Sequence, residues 1–293
     1  MTFQQGNNLT ARTWPPEEAF RYCERLTRSH YENFPVASLF LPGDKRKHVA
    51  AIYAFARTAD DFADEPGMSP GERLERLTGW EHQLERCYEG QAHHPVFVAL
   101  RETAAAFDIP IILFRRLLAA FRSDVTVRRY ATLSDLLAYS ANSANPVGRL
   151  VLLLFGYRSD PMMLLSDKIC TALQLTNFWQ DVTVDLDKDR VYLPVEDLGR
   201  FGVTEEDLTQ RIPTPGFQRL LAHQIESTRG MFLEGQPILN EVGRDLRFQL
   251  QLTWRGGMRI LQKIENVGYD VFRRRPVLSP VDKIVLIGSS IMG

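Results

Sequence analysis

Apolar positions recur along most of the chain at the spacing of an amphipathic helix, not in the alternation of a strand. Between residues 70 and 89, Leu74, Leu77, Trp80, Leu84 and Cys87 fall at helical spacing. Ahead of them, Ser69-Pro70-Gly71-Glu72 reads as an N-cap, a proline at the first helical position and an acid that closes a capping box. Pro110 opens IILFRRLLAAF in the same way. The pattern predicts helices over 15–33, 43–65, 70–89, 94–107, 110–123, 132–155, 160–187, 204–211, 214–240, 244–267 and 279–290. No run alternates apolar and polar residues as a strand would, and no Asn-Gly or Asp-Gly hairpin signal occurs. There is no repeat of fixed period and no low-complexity linker; RIPTPGF, Arg211–Phe217, reads as a loop between helices. The expectation is one all-α domain spanning 1–293.

Composition narrows this picture. With 293 residues, 44% of them apolar, the chain can bury a sizeable core. Lys+Arg 35 against Asp+Glu 36 leaves a net charge of −1, which offers no bulk attraction to nucleic acid or to an anionic membrane and leaves only local patches. Cys23, Cys87 and Cys170 form no CxxC pair and read as core residues in a reducing cytoplasm. The first residues, MTFQQGNNLTARTW, lack the apolar stretch of a secretory signal. LVLLLF and the final KIVLIGSSIMG are shorter than the ~18–20 apolar residues of a membrane span. The latter reads as a packed terminal helix, with contact at a membrane surface as the alternative.

The charge that is present is unevenly placed. In FARTADDFADE, Phe55–Glu65, the acids Asp60, Asp61, Asp64 and Glu65 are neighbours one turn apart, and each such like-charge pair costs roughly 0.2–0.5 kcal/mol. Only Arg57 offsets them locally. Tyr53, Arg57, Asp60 and Asp64 share one side of the predicted helix. A second group lies in QLTNFWQDVTVDLDKDRVYLP, Gln174–Pro194. There Asp181 and Asp185 are predicted to share a helix face, which Gln174 and Asn177 extend. Both groups sit beside strongly apolar sequence, where an unmatched carboxylate is costly. Each also has a plainer reading: a solvated helix end before Pro66-Gly67, and a surface loop in which LDKDR balances its own charge.

Two acidic faces that oppose each other would suit a magnesium-bound diphosphate. Mg²⁺ takes hard oxygen ligands and is commonly held by one or two carboxylates together with phosphates and water. Zinc fits less well, because the six histidines show no i,i+4 pair. No EF-hand calcium loop occurs either.

The pairing of YAFARTADDFAD with QLTNFWQDVTVDLDKDRVYLP, in that order and ending in R-x-Y-x-P, resembles the squalene/phytoene synthase family from about Cys23 to Arg275. Within the family, SHYENFPVASLFLP, SANPVGRLVLLLFGY and NFWQD resemble bacterial hydroxysqualene synthases of hopanoid pathways. Phytoene and squalene synthases usually carry Arg where this chain has Gln180, and V-A-G-x-V-G where it has SANPVG. The resemblance implies an all-α isoprenoid synthase fold with a central cavity. It implies that Asp60, Asp61 and Asp64 form one Mg²⁺ site and that Asp181 and Asp185, helped by Gln174 and Asn177, form another, for two or three ions. Arg57 and Arg190 would clamp the diphosphate, and Tyr53, Tyr139 and Tyr269 fall where the family places cavity tyrosines. Phe34, Phe55, Phe178 and Trp179 are available as aromatic faces for a carbocation, with Phe34 also assigned to substrate binding.

The implied activity is Mg²⁺-dependent conversion of presqualene diphosphate to hydroxysqualene by ionisation, rearrangement and water capture. NADPH is not expected, since no G-x-G-x-x-G lies between a strand and a helix. Asn142 and Asn145 are candidates to position the water, with helix capping around Pro146 as the plainer role. The alternative within the family is head-to-head condensation of two farnesyl diphosphates to presqualene diphosphate, squalene or dehydrosqualene. The alternative of another class is a non-catalytic helical lipid-binding or assembly protein. The expected setting is cytoplasmic, peripheral at the inner face of the membrane, with pathway enzymes as partners and no nucleic acid.

Overall fold

The computed structural model describes residues 13–29 and 42–292. Helices dominate, because the apolar stripes can be buried only against one another. In chain order they are α1 (Pro16–Ser29), α2 (Gly43–Asp64), α3 (Pro70–Tyr88), α4 (Pro95–Phe107), α5 (Ile112–Thr126), α6 (Leu133–Ser143), α7 (Asn145–Leu154), α8 (Asp160–Gln180), α9 (Val182–Asp187), α10 (Val195–Phe201), α11 (Glu205–Thr209), α12 (Pro215–Gly235), α13 (Ile238–Glu241), α14 (Arg244–Asn266) and α15 (Pro280–Met292). Among the described residues the only β-type pairing is one isolated parallel bridge, Arg129 with Val191.

The capping box ahead of α3 forms as its sequence predicts: the Glu72 carboxylate accepts from the Ser69 backbone N–H at 2.8 Å, and Ser69 Oγ accepts from the Glu72 N–H at 3.3 Å. Three longer predicted helices are broken. The stretch 132–155 divides at Ala144, just ahead of Asn145-Pro146, where the proline restricts the preceding residue and lacks a donor. The stretch 214–240 divides at Gln236-Pro237 for the same reason. The stretch 160–187 divides at Asp181, followed by the β-branched run Val182-Thr183-Val184, which propagates a helix weakly. Helix α10 was not expected from the pattern. The predicted helix over 15–33 is described only to Ser29.

Contacts divide the chain into two compact units, one of Met1–Thr126 with Arg149–Arg158, the other of Val127–Gly148 with Ser159–Gly293. In the first, α2 packs against α1, α3, α4 and α5. Its Phe55 is fully buried among Trp80, Phe97 and Phe114, with ring centroids 6.1, 6.0 and 5.1 Å away. Trp80 Nε1 donates to the Phe55 carbonyl at 3.3 Å and ties α3 to α2. In the second unit, α8 packs against α6, α12, α13 and α14. Its buried Trp179 donates to Thr228 Oγ1 on α12 at 2.8 Å, Thr228 donates to the Gln224 carbonyl at 2.7 Å, and the Gln224 amide donates to buried Asp197 at 2.6 Å. Gly257 of α14 lies directly against Phe232 and Leu173, so even a methyl group there would displace the ring. Each unit therefore has a central helix, and each of these helices ends in one of the two acidic groups. Cys23, Cys87 and Cys170 carry no disulfide.

Candidate functional site

In the first unit the acidic face forms on unbroken helix. Arg57 reaches forward one turn and pairs with both Asp60, at 3.2 Å, and Asp61, at 2.6 Å. The sequence left open whether Arg57 binds phosphate or pairs with these acids; in the structure it is paired. Its Nε is buried and makes no hydrogen bond, so one donor of the guanidinium fork is not satisfied by protein. The end of α2 is also held from α3, where Arg73 donates to the Glu65 carbonyl at 2.9 Å, compensating the partial negative charge of a helix C-terminus. Tyr53, one turn before Arg57, is half-buried, and burial raises its phenol above the ordinary value while Arg57 opposes the shift.

A cleft of about 660 Å³ opens beside this face, within the size range of small-molecule sites. Arg57, Asp61 and Asp64 line it, and Tyr22, Arg25 and Leu26 of α1 line it as well. The sequence reading missed these three, although their i, i+3, i+4 spacing already put them on one face of α1. Asp60 pairs with Arg57 at the same helix end. Phe34 lies outside the described residues.

In the second unit the acidic group straddles a helix break. Asp181 is not in mid-helix as predicted: it terminates α8 with φ −105° and ψ 15°, and the turn resumes when the Asp185 N–H donates to the Asp181 carbonyl at 2.9 Å. The two carboxylates therefore do not share the face of one continuous helix. Asp181 instead receives the guanidinium of Arg275, through Nε and through Nη2, the latter at 3.1 Å. The hydrogen bond to Asp181 raises Arg275 above its ordinary value. Gln180 is buried, and its amide donates to the Pro276 carbonyl at 2.6 Å. Gln174 and Asn177 remain on α8, half-buried and exposed respectively.

The segment beyond α9 is positioned by backbone pairing. The Val191 N–H donates to the Arg128 carbonyl at 2.9 Å and the Val195 N–H to the Tyr130 carbonyl at 3.0 Å. Arg129 holds the left-handed Asp189 through its carbonyl at 2.8 Å and its carboxylate at 3.0 Å. This anchoring sets Arg190 and Tyr192 beside Phe178 and Asp185, around a void of about 10 Å³, on the order of a single water. Phe178 and Tyr192 stack at 3.7 Å and 8°, with Tyr139 tilted against both. Tyr130 stacks on the far side of Tyr192. Tyr139 thus joins an aromatic cluster with Tyr192, the tyrosine of the R-x-Y-x-P ending, and with Tyr130, which the sequence did not single out. Tyr269 occupies the turn after α14 with φ 62°, half-buried. Asn145 Oδ1 accepts from Thr171 at 2.9 Å and Asn142 donates to the Ala138 carbonyl at 3.4 Å, so both bond within the helical scaffold.

Among the described residues no three His, Cys, Asp or Glu side chains are grouped closely enough to hold a metal ion unaided. The donor set is hard carboxylate oxygen in both regions, a chemistry that suits Mg²⁺ sharing its coordination with phosphate and water. No helix among the described residues is long and apolar enough to cross a membrane.

Two helical units, each built round a central helix that ends in aspartates, define an all-α isoprenoid synthase fold of the squalene synthase type. Residues 27–282 match the squalene/phytoene synthase family model, and the chain belongs to that family. It is 42% identical to the squalene synthase HpnC of Alicyclobacillus acidocaldarius, with a TM-score of 0.83 and coverage of 87% of this chain and 95% of that one. It is 27% identical to a dehydrosqualene synthase, with a TM-score of 0.84 and coverage of 94% and 96%. Among curated relatives it is 34% identical to the phytoene synthase of Thermus thermophilus, over 90% of this chain and 89% of that protein. The family is one of enzymes that act on prenyl diphosphates.

Proposed function

We propose that this enzyme converts presqualene diphosphate to hydroxysqualene. The observation that carries the reading is Gln180. Condensing two prenyl diphosphates requires a site that accommodates two diphosphate groups, whereas presqualene diphosphate brings one. Where phytoene and squalene synthases usually carry an arginine, this chain has a neutral amide fixed on the Pro276 carbonyl. The next residue, Asp181, is matched by Arg275. One positive charge fewer beside the second acidic group suits a substrate with a single diphosphate. The 42% identity to the HpnC protein, described as a squalene synthase, supports the family chemistry and favours the head-to-head alternative.

Asp60, Asp61 and Asp64, and Asp181 and Asp185, are the residues that would hold Mg²⁺. When bound, the metal would neutralise the charge gathering on the departing diphosphate. Arg57 would turn its planar, permanently charged fork to phosphate oxygens once Asp60 and Asp61, which hold it here, are engaged by Mg²⁺, and Arg190 would do the same beside Asp185. Phe178, Tyr192 and Tyr139 form an aromatic cluster in which Phe178 and Tyr192 cover one another's faces, so a cation would meet this cluster only where a ring is left uncovered, at roughly 0.5–2 kcal/mol per ring. The void beside them, about 10 Å³, has room for one water and not for the carbon skeleton, which would lie outside it. Tyr53 and Tyr269 complete the set of tyrosines, and Gln174 and Asn177 supply polar contacts along α8.

The test is product analysis with purified enzyme and Mg²⁺, using presqualene, farnesyl and geranylgeranyl diphosphates in separate reactions. Hydroxysqualene from presqualene diphosphate, without NADPH, is the expected result. Squalene formed only with NADPH rejects the reading. A C30 or C40 product from farnesyl or geranylgeranyl diphosphate alone favours the head-to-head alternative, to which the curated phytoene synthase relatives point.

A further inference from the structure

Two helices line the cleft beside the first acidic group, and they bring different charge to it. From α2 and its end come Arg57, Asp61, Asp64 and Glu65. From α1 come Tyr22, Arg25 and Leu26. The rotation that presents these three is fixed by what α1 buries: Ala19 and Cys23 completely, and Phe20 nearly so. The Tyr22 ring is held edge-on by Trp14 and by His94, the N-cap of α4, with centroids 6.0 and 6.1 Å away. Arg25, three residues on, is therefore carried to the cleft by a packed helix.

Arg25 differs from the other arginine of the cleft. Arg57 is engaged by Asp60 and Asp61 and must be released before it can take a phosphate. Arg25 is exposed and pairs with no carboxylate among the described residues. Nor is its charge needed at the helix end. Arg28 already stands in the last turn of α1, where a cation offsets the partial negative charge of a C-terminus. A guanidinium that is free beforehand, in a cleft whose other helix supplies carboxylates, fits a ligand of mixed charge: a metal for the acids and phosphate oxygens for the arginine. We propose that Arg25 is a second arginine for the substrate's diphosphate, binding it from α1 while the aspartates of α2 take the metal. The inference rests on the reading of this region as a magnesium–diphosphate site, and not on which prenyl chain the diphosphate carries.

The test is calorimetric titration of inorganic pyrophosphate, a diphosphate without a prenyl chain, into purified full-length protein with Mg²⁺ present. Arg25→Gln is expected to weaken pyrophosphate binding about tenfold, the range for losing a hydrogen bond to a charged group. Arg25→Lys keeps the charge without the planar fork and is expected to recover part of that loss. Arg21→Gln removes an exposed cation one turn earlier on α1, outside the cleft lining, and is expected to bind as wild type does. Thermal melting should be unchanged in all three, because both positions are exposed. Pyrophosphate bound equally well by Arg25→Gln and wild type overturns the inference and leaves the magnesium–diphosphate reading standing. Equal weakening by Arg21→Gln and Arg25→Gln also overturns it, because the effect then comes from the general field of α1 and not from contact in the cleft. Failure of the wild type to bind pyrophosphate with Mg²⁺ overturns the reading of the region itself, and the inference with it.

Discussion

The two acidic regions handle the same problem differently. On α2 the compensation is local: Arg57 lies three and four residues from the acids it pairs with, on continuous helix. At the end of α8 it is remote: Asp181 is matched by Arg275, 94 residues along the chain, and the helix breaks at the carboxylate itself. The first arrangement leaves Asp61 and Asp64 on the wall of an open cleft. The second folds Asp185 and Arg190 into a packed corner with aromatic rings. The first region is thus open to a charged ligand from solvent, whereas the second, as packed, holds no more than a water.

Turnover is the sharpest way to break this comparison. Asp61→Asn and Asp185→Asn are each expected to lower kcat by about 10²–10³, the range for removing one preorganised electrostatic group. A fall confined to one of them would end the parallel between the regions. Steady-state kinetics with saturating Mg²⁺ and presqualene diphosphate measures it.

Acid should separate the regions by stability. Burial pushes His94 in the first unit from its ordinary value down to about 4, and burial with neighbouring lysines does the same to His48. His94 Nδ1 must stay unprotonated, because it accepts from the Val96 N–H to cap α4. A histidine whose folded value is depressed favours folding fully above the unfolded value of 6.5, and that advantage is lost as pH falls from about 6.5 to about 4. The loss is at most about 3 kcal/mol per histidine, at 1.36 kcal/mol per unit. In the second unit the one histidine, His223, is exposed. Asp282 there is held below its ordinary value by Lys263 and Ser279, so its contribution persists until pH falls below about 4. Protection factors, measured by hydrogen exchange and corrected for the intrinsic rate at each pH, should fall from pH 7 to 5 in α2 and α4 before α8 and α14, and a uniform change would refute the assignment.

The smallest effect expected concerns the remote pair. Arg275→Met should cost about 1 kcal/mol, since both partners retain solvent access. That is about 2–4 °C in Tm by calorimetry. A change much larger would mean that Arg275 supports more of the second unit than Asp181.

How much of this was readable beforehand follows the range of the interactions. The capping box at Ser69 and the clustering of acids round Arg57 are local, set by residues three or four apart, and the helix pattern carries them. The break at Asp181 leaves no mark in the periodicity of apolar positions, because Val182–Val184 fit the stripe and are helical again in α9. Arg275 and the Arg129–Asp189 anchor depend on segments distant in sequence being brought together, and no spacing rule encodes that. Tyr22, Arg25 and Leu26 were legible as a helical face but not as a cleft wall, since nothing in α1 alone says what lies opposite.

The central claim is that both acidic regions serve one ionisation event, and a double-mutant cycle on presqualene diphosphate turnover tests it most directly. Asp61→Asn, Asp185→Asn and the double variant are compared with wild type under single-turnover conditions. The account predicts strong coupling, the double variant losing little more than the worse single. Losses that multiply, as independent sites require, would contradict it.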